Sequence, residues 1–298
     1  EIKQTAWAYN RADALGDMIF IQWKLVNKRS AVWDDAYFVI WQDPDVGDAG
    51  DDLVGCDSTL GLGYCYNGEA TDQNYGASPP ACGIDFFQGP IIDSPGDTVT
   101  LPDGTQFLNK KQLKMTSFIY YNNDNSNQGN PENGQDVYNY MQGYWRDGSP
   151  IVNDGANGTT TGPKTKYMFS GDPESQTGWL DSNPADRRYM MTTGPFTMQP
   201  WNDEGVDQDG DGVVDYGQNN GKADLGEPGV QVIVAGLMMA EGTSNLNSVT
   251  ELKNVDKLAQ LAYDLNFNLA KAPTPPAVDV SQRRNQILLT WDERSEYN

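Results

Sequence analysis

The stretch Asp17-Met18-Ile19-Phe20-Ile21-Gln22-Trp23-Lys24-Leu25-Val26 alternates. Ile19, Ile21, Trp23 and Leu25 fall on one face, and Phe20, Gln22 and Lys24 on the other. Successive side chains of an extended chain point to opposite faces, so this period of two predicts a half-buried β-strand. Asn27-Lys28-Arg29-Ser30 follows as a turn. Ala36 to Trp41, dense in aromatic and β-branched residues, reads as the second strand of a hairpin. Leu113 to Tyr121 alternates in the same way, and Val230 to Met238 is apolar on both sides, the pattern of a central strand. Phe107-Leu108, Tyr167-Met168-Phe169 and Phe196-Thr197-Met198 are shorter strand candidates. The expected class is mainly β, an antiparallel β-sandwich.

One helix is expected near the C-terminal end. Ser248-Val249-Thr250-Glu251 fits a capping box. Leu252, Val255, Ala259, Ala262 and Leu265 then recur at helical spacing, with Lys253, Asp256, Lys257 and Asp264 facing out. Long polar stretches separate the strands: Asp43 to Ser58, Asn122 to Gln135, Asp147 to Lys166 and Asn202 to Pro228. Structureless loops beyond about 12–15 residues need something to hold them. Calcium, or packing by the many Tyr and Trp side chains, is expected to do so. Residues 1–270 are read as one sandwich module with an acidic insertion at 203–228. Lys271-Ala272-Pro273-Thr274-Pro275-Pro276 is a stiff linker. Beyond it, 277–298 holds two short strands, Ala277 to Val280 and Asn285 to Trp291. Two strands bury no core alone, so they either join the main sheet or open a further module, and the Pro-rich boundary favours the second.

Composition excludes several functions. The 298 residues carry 20 Lys+Arg against 42 Asp+Glu, a formal charge of −22, and no histidine. Nucleic acid and anionic lipid are poor partners for such a surface. A Ser-His-Asp triad or a His-ligated zinc cannot come from this chain alone. No apolar run approaches the roughly 18 residues that a membrane helix needs.

The acids cluster, and their spacing points to calcium. In Asp207-Gln208-Asp209-Gly210-Asp211-Gly212-Val213-Val214-Asp215, aspartates occupy positions 1, 3, 5 and 9 of a calcium loop. Gly212 stands at the sixth position, where the loop turns, and Val213 offers its carbonyl at the seventh. Gln218 replaces the bidentate Glu of position 12, so the loop is incomplete alone; Asp224 and Glu227 belong to a degenerate second copy that can share ligands. No flanking helix pair makes this an EF-hand. A second cluster, Asp43, Asp45, Asp48, Asp51, Asp52 and Asp57, packs six acids into fifteen residues at a strand end. Like charges at that density repel unless a cation neutralises them, although the spacing fits no standard loop. Calcium-dependent loops favour an extracellular location, because intracellular calcium is scarce.

Three cysteines are too few for a disulfide-built scaffold. The preferred pairing is Cys65 with Cys82, leaving Cys56 buried and free. Tyr120-Tyr121, Tyr138, Tyr140, Tyr144-Trp145 and Trp179 can stack on sugar faces, but packing of loops onto the sandwich is the favoured explanation. Paired carboxylates could run glycoside hydrolysis without histidine, and no local pattern selects a pair.

Several phrases occur together and in order: Trp41-Gln42-Asp43-Pro44-Asp45-Val46-Gly47-Asp48, Val54-Gly55-Cys56-Asp57, Gly63-Tyr64-Cys65-Tyr66-Asn67, Asp85-Phe86-Phe87-Gln88-Gly89-Pro90, Ser170-Gly171-Asp172-Pro173 and Gly194-Pro195-Phe196. With the helix Leu252 to Phe267 and its Pro-rich exit, this assembly resembles large secreted or surface proteins of Bacteroidota-type bacteria. Such proteins often carry fibronectin type III modules and a C-terminal type IX secretion signal. The resemblance covers most of residues 5 to 291. It implies a cell-surface or secreted location, with residues from Pro276 onward as the first strands of a fibronectin type III module. Two departures stand out: the insertion Asp203 to Glu227, and the lack of a terminal sorting signal. The expectation is a non-enzymatic, calcium-binding structural or adhesive module of a larger surface or filament-forming protein. Its partners would be calcium, other copies of itself or surface glycans. A carbohydrate-binding module and a secreted acid glycoside hydrolase are the alternatives.

Overall fold

The computed structural model describes residues 1–202, 222–268, 276–284 and 286–292. The chain opens with β1 (Ile2–Trp7), β2 (Met18–Val26), β3 (Trp33–Gln42), β4 (Asp52–Asp57) and β5 (Leu62–Asn67). The two-residue β6 (Thr71–Asp72) and β7 (Gly76–Ala77) lead to β8 (Ala81–Gln88), β9 (Ile91–Thr100), β10 (Gln106–Gln112) and β11 (Ser117–Tyr121). Helix α1 (Gly134–Met141) precedes β12 (Arg188–Met198) and β13 (Val230–Ala240). Helix α2 (Asn245–Asp264) and the hairpin β14 (Val278–Arg283) and β15 (Gln286–Trp291) complete the described elements.

The strands form a mainly antiparallel sandwich. A six-stranded sheet, β1-β2-β13-β8-β5-β4, faces a three-stranded sheet, β11-β12-β3. Leu25, Val54, Cys65, Ile84, Phe86, Ile233 and Ala235 point from the larger sheet into the shared core, where they meet Phe118, Ile119, Tyr189 and Met191 of the smaller one. Residues of opposite parity, among them Phe20, Leu62, Tyr64, Phe87, Val234 and Met238, fill a second core beneath α2 with Val249, Leu252, Ala259 and Tyr263. The larger sheet is therefore covered on both faces, which is why its strands lack a clean polar side. A Cβ on Gly63 would come within 2.8 Å of the Phe118 ring, so a glycine lets the sheets approach there.

This arrangement corrects several expectations. β2 and β3 are not a hairpin: β2 pairs with β1 and β13, whereas β3 pairs with β12 in the other sheet. The turn after β2 crosses between sheets, and the buried Asn27 amide donates to Ala31 O and Met198 O to fix the crossing. Phe20, assigned to the polar face, is fully buried, and Ile19 is exposed. The Asp43–Ser58 stretch is only half loop, because Asp52 to Cys56 is a buried strand edge. Leu113 to Tyr121 is strand only from Ser117, and Tyr167 makes one isolated bridge to Phe118. Helix α2 begins earlier than the capping box implied: Ser244 is its N-cap, accepting from Asn247 N, and Ser248 lies buried inside. Asp256, expected to face water, is 1% exposed.

The long connections are held by aromatic side chains and Asp carboxylates. The Tyr140 hydroxyl donates to Gly129 O at 2.6 Å, Trp145 Nε1 to Gly158 O at 3.0 Å and Trp179 Nε1 to Ala156 O at 2.8 Å. The outer edge of β4 is closed by the segment before β12, through Cys56 N to Phe169 O and Ala185 N to Asp52 O. A buried ion pair, Arg187 to Asp181 at 2.9 Å, anchors that segment, and Val54 N donates to the same carboxylate.

Candidate metal centre

Asp43 and Asp45 leave the end of β3, and Asp186 stands just before β12. The β3/β12 register pairs Tyr189 with Gln42, so those two ends lie side by side. The carboxylates of Asp43, Asp45 and Asp186 consequently converge, one oxygen of each within 4.8 Å of the others. Three hard anionic oxygens at an exposed strand end match the donor preference of calcium, with water completing the shell. Arg188 borders the group: its Nε lies 3.2 Å from Asp43 Oδ2, and its Nη2 lies 3.4 Å from Asp186 Oδ2. The guanidinium offsets part of the charge and competes with a cation for two of the three carboxylates.

The other acids of this cluster do different work. Asp48 accepts from Gly50 N, and its own N–H donates to Asp72. Asp72 also accepts from Asn74 N, Tyr75 N and the Asn67 amide, and so organises the loop. A Cβ on Gly47 would sit 2.2 Å from Asp72 Oδ2, and φ there is +79°, so only glycine fits. Asp52 is fully buried and accepts from Val46 N through Oδ2, while Oδ1 has no partner. Burial pushes its carboxyl up to about 7 against the opposing bonds from Val46 and Cys65. Burial likewise raises Asp51, aided by the charges of Asp48 and Glu69. Asp57 caps the β4–β5 turn through Thr59 N and Leu60 N and pairs with Lys253 at 3.6 Å. Asp48, Asp51, Asp52 and Asp57 thus fall outside the convergent trio, and Asp186, distant in sequence, joins it.

Asp207, Asp209, Asp211, Val213 and Asp215 lie outside the described residues. Of the degenerate copy, Glu227 is buried, with Oε2 accepting from Trp201 Nε1 at 2.5 Å and from Asp224 N at 3.2 Å. Its Oε1 has no hydrogen-bond partner among the described residues. Asp224 lies 4.0 Å from Lys24 Nζ.

Cys56 is buried, its thiol donating to Met168 O. Cys65 and Cys82 face each other in register on β5 and β8 as free thiols. Of the aromatic set, Tyr120, Tyr121, Tyr140, Trp145 and Trp179 are buried, while Tyr138 and Tyr144 are half-buried, Tyr138 donating its hydroxyl to Asp35 O. Among the buried rings, Tyr121 stacks on Tyr140 at 5.6 Å.

Among the described residues, two surface cavities stand out. One, of about 700 Å³, lies between the β9–β10 hairpin and the start of β13, with Phe107, Phe196 and Glu227 in its lining. The other, of about 420 Å³, lies beside the end of α2, lined by Trp7, Gln22, Tyr263, Asn266 and Phe267. No helix among the described residues is long and apolar enough to cross a membrane. Comparison with protein-family models, with curated proteins and with solved structures gives no match.

Proposed function

We propose that this chain is a non-enzymatic structural or adhesive module of a larger extracellular protein, and that it binds calcium at Asp43, Asp45 and Asp186. The observation that carries the proposal is the convergence of these three carboxylates at the joined ends of β3 and β12. The burial of the aromatic side chains in loop packing supports a scaffold role over a catalytic one. The β14–β15 hairpin agrees with a further module of fibronectin type III kind. Its register places Val278 opposite Trp291 and Val280 opposite Leu289, making one apolar face, which is exposed. Such a face is the kind a sandwich sheet turns toward its partner sheet.

Calcium that binds the native state stabilises it by mass action. At 2 mM calcium and a Kd of about 0.1–1 mM, the range of extracellular modules, the gain is roughly 0.6–1.8 kcal/mol. Thermal melting in 2 mM calcium and in EGTA checks this. A rise of about 1–3 °C is expected for the native chain, with a smaller rise in Asp186→Asn. If Asp186→Asn and Asp45→Asn respond to calcium as the native chain does, these carboxylates are not the site.

Glycan binding is a second reading, and the cavity beside Trp7 is what favours it. The ring of Trp7 is half-buried there, and the Gln22 and Asn266 amides line the same space. A glycan array with the native chain and Trp7→Ala tests it; no signal lost on substitution removes it.

A further inference from the structure

The α2 stripe that packs on the sheet runs through Val249, Leu252, Asp256, Ala259 and Tyr263, all buried. An aspartate therefore occupies a core position. Beneath it, on β8, lies Asp85, also 1% exposed. The two carboxyls are within hydrogen-bonding reach of each other. Among the described residues, no donor of ordinary hydrogen-bond geometry reaches either oxygen of Asp85 or Oδ1 of Asp256; the Phe86 N–H, next along the strand, opposes the rise at Asp85 only weakly against burial and the charge of Asp256. Gly61 closes the space above: a Cβ there would be 2.5 Å from Asp85 Oδ1, and φ is +100°. Neither aspartate lines either of the two cavities described above.

Buried carboxyls without donors need a proton or a counter-charge. Among the described residues, the charged groups around the pair do not supply a counter-charge in contact. Lys253 on α2 is engaged by Asp57 at 3.6 Å and Asp172 at 3.9 Å. Lys257 on α2 and Lys114, after β10, act only through space, and Asp57 on the β4–β5 turn adds like charge. What remains is a proton held between the two carboxyls, an O–H···O⁻ bond of the strong, charge-assisted kind.

We propose that Asp85 and Asp256 form a shared-proton clasp that fastens α2 to the central sheet in acid and loosens it as the pH rises through neutrality. Loss of the shared proton leaves two desolvated like charges facing each other across the helix–sheet interface. Burial raises the proton affinity of both carboxyls above the ordinary carboxylate value, and for Asp85 the charge of Asp256 adds to the rise. The folded state therefore binds protons more tightly than the unfolded chain. The stabilisation is fully present below the ordinary value of 3.8 and is lost as the pH climbs through the folded midpoints.

The first test is carbon NMR of the aspartate side-chain carboxyls in the intact chain, with the pair assigned by the signals lost in Asp85→Asn and Asp256→Asn. At least one resonance of the pair is expected to titrate well above the range of the exposed aspartates. Two resonances titrating in the ordinary carboxylate range would overturn the clasp. The second test is melting temperature against pH from 4.5 to 8.5. The native chain is expected to lose at least ~5 °C more across this range than the double variant Asp85→Asn/Asp256→Asn, whose amides hydrogen-bond without a proton. Equal pH dependence in the two would also overturn it. If the variants do not fold, hydrogen exchange of the native chain decides. Protection of the Leu252–Ala259 amides must fall between pH 5 and 8 relative to β13, and constant relative protection refutes the clasp.

Discussion

Replacing Trp145 by alanine separates the two ways of holding the long loops. The ring is 1% exposed and meets Tyr120 edge-on at 6.5 Å. Its Nε1–H is the donor to Gly158 O, at 3.0 Å. Truncating a buried Trp costs about 3–5 kcal/mol through lost burial and the cavity left behind. Leaving a buried carbonyl without its donor accounts for about 1–3 kcal/mol of such a loss. Trp145→Ala should therefore lose about 4 kcal/mol, and Trp145→Phe, which keeps most of the apolar volume, about 1–2 kcal/mol. Urea unfolding at 25 °C, in calcium and in EGTA, gives both values from the midpoint and slope. Limited proteolysis should also open the 147–166 segment in the alanine variant first. The loss should be the same with and without calcium, because the anchor is an indole and not an ion. A Trp145→Ala chain within about 1 kcal/mol of the native one, or a loss that appears only in EGTA, would refute aromatic anchoring of this loop.

Other outcomes follow from the same structure. Asp154 accepts from the backbone N–H groups of Ala156, Gly158, Thr159 and Thr160. Burial alone would raise its carboxyl, but these donors outweigh burial and hold it well below the ordinary range. Asp154→Ala should destabilise the chain by on the order of 1–2 kcal/mol at pH 7. Because the folded carboxyl is the stronger acid, the deficit is present above the unfolded value and shrinks as the pH falls below about 4; a deficit unchanged at pH 3 contradicts this. Asp52 works in the opposite direction. Its carboxyl is raised to about 7 by burial, so stability is greatest below 3.8 and falls as the pH rises from there to about 7, by up to about 4 kcal/mol. Asp52→Asn should flatten this part of the denaturation profile and stabilise the chain at pH 8; a variant weaker than the native chain at pH 8 argues against it.

Much of the architecture was readable in the residues. The alternation from Asp17 to Val26, the doubly apolar run at Val230 and the helical spacing after Leu252 all mark elements that form. β4, β5 and β8 were harder to see. Their glycines, cysteines and tyrosines carry no simple alternation, because both faces of the sheet are covered and polar residues such as Asp52 and Asp85 sit inside. The same ambiguity hides Asp256, whose spacing from Leu252 and Ala259 places it in the buried stripe although its charge argues for water. The acid clusters admit two readings. An aspartate among Gly, Asn and Ser is as good an acceptor for backbone N–H groups two to six residues ahead as it is a calcium ligand, and Asp48, Asp57, Asp72 and Asp154 all take the first role.

Local pattern, which depends on residues within a few positions of one another, determined the β class, the C-terminal helix and the acidic character of the loops. Tertiary structure decided which residues meet. Asp186 joins Asp43 and Asp45 only because β12 pairs with β3, and Asp85 meets Asp256 only because α2 crosses β8. Strand partnership is a long-range choice made by the whole core. β2 gave up its neighbour in sequence for β13, a pairing that places Ile233 and Ala235 in one core and Val234 and Met238 in the other. Periodicity reports which faces are apolar but not what covers them. The juxtaposition of these acids is therefore a consequence of register and layer order.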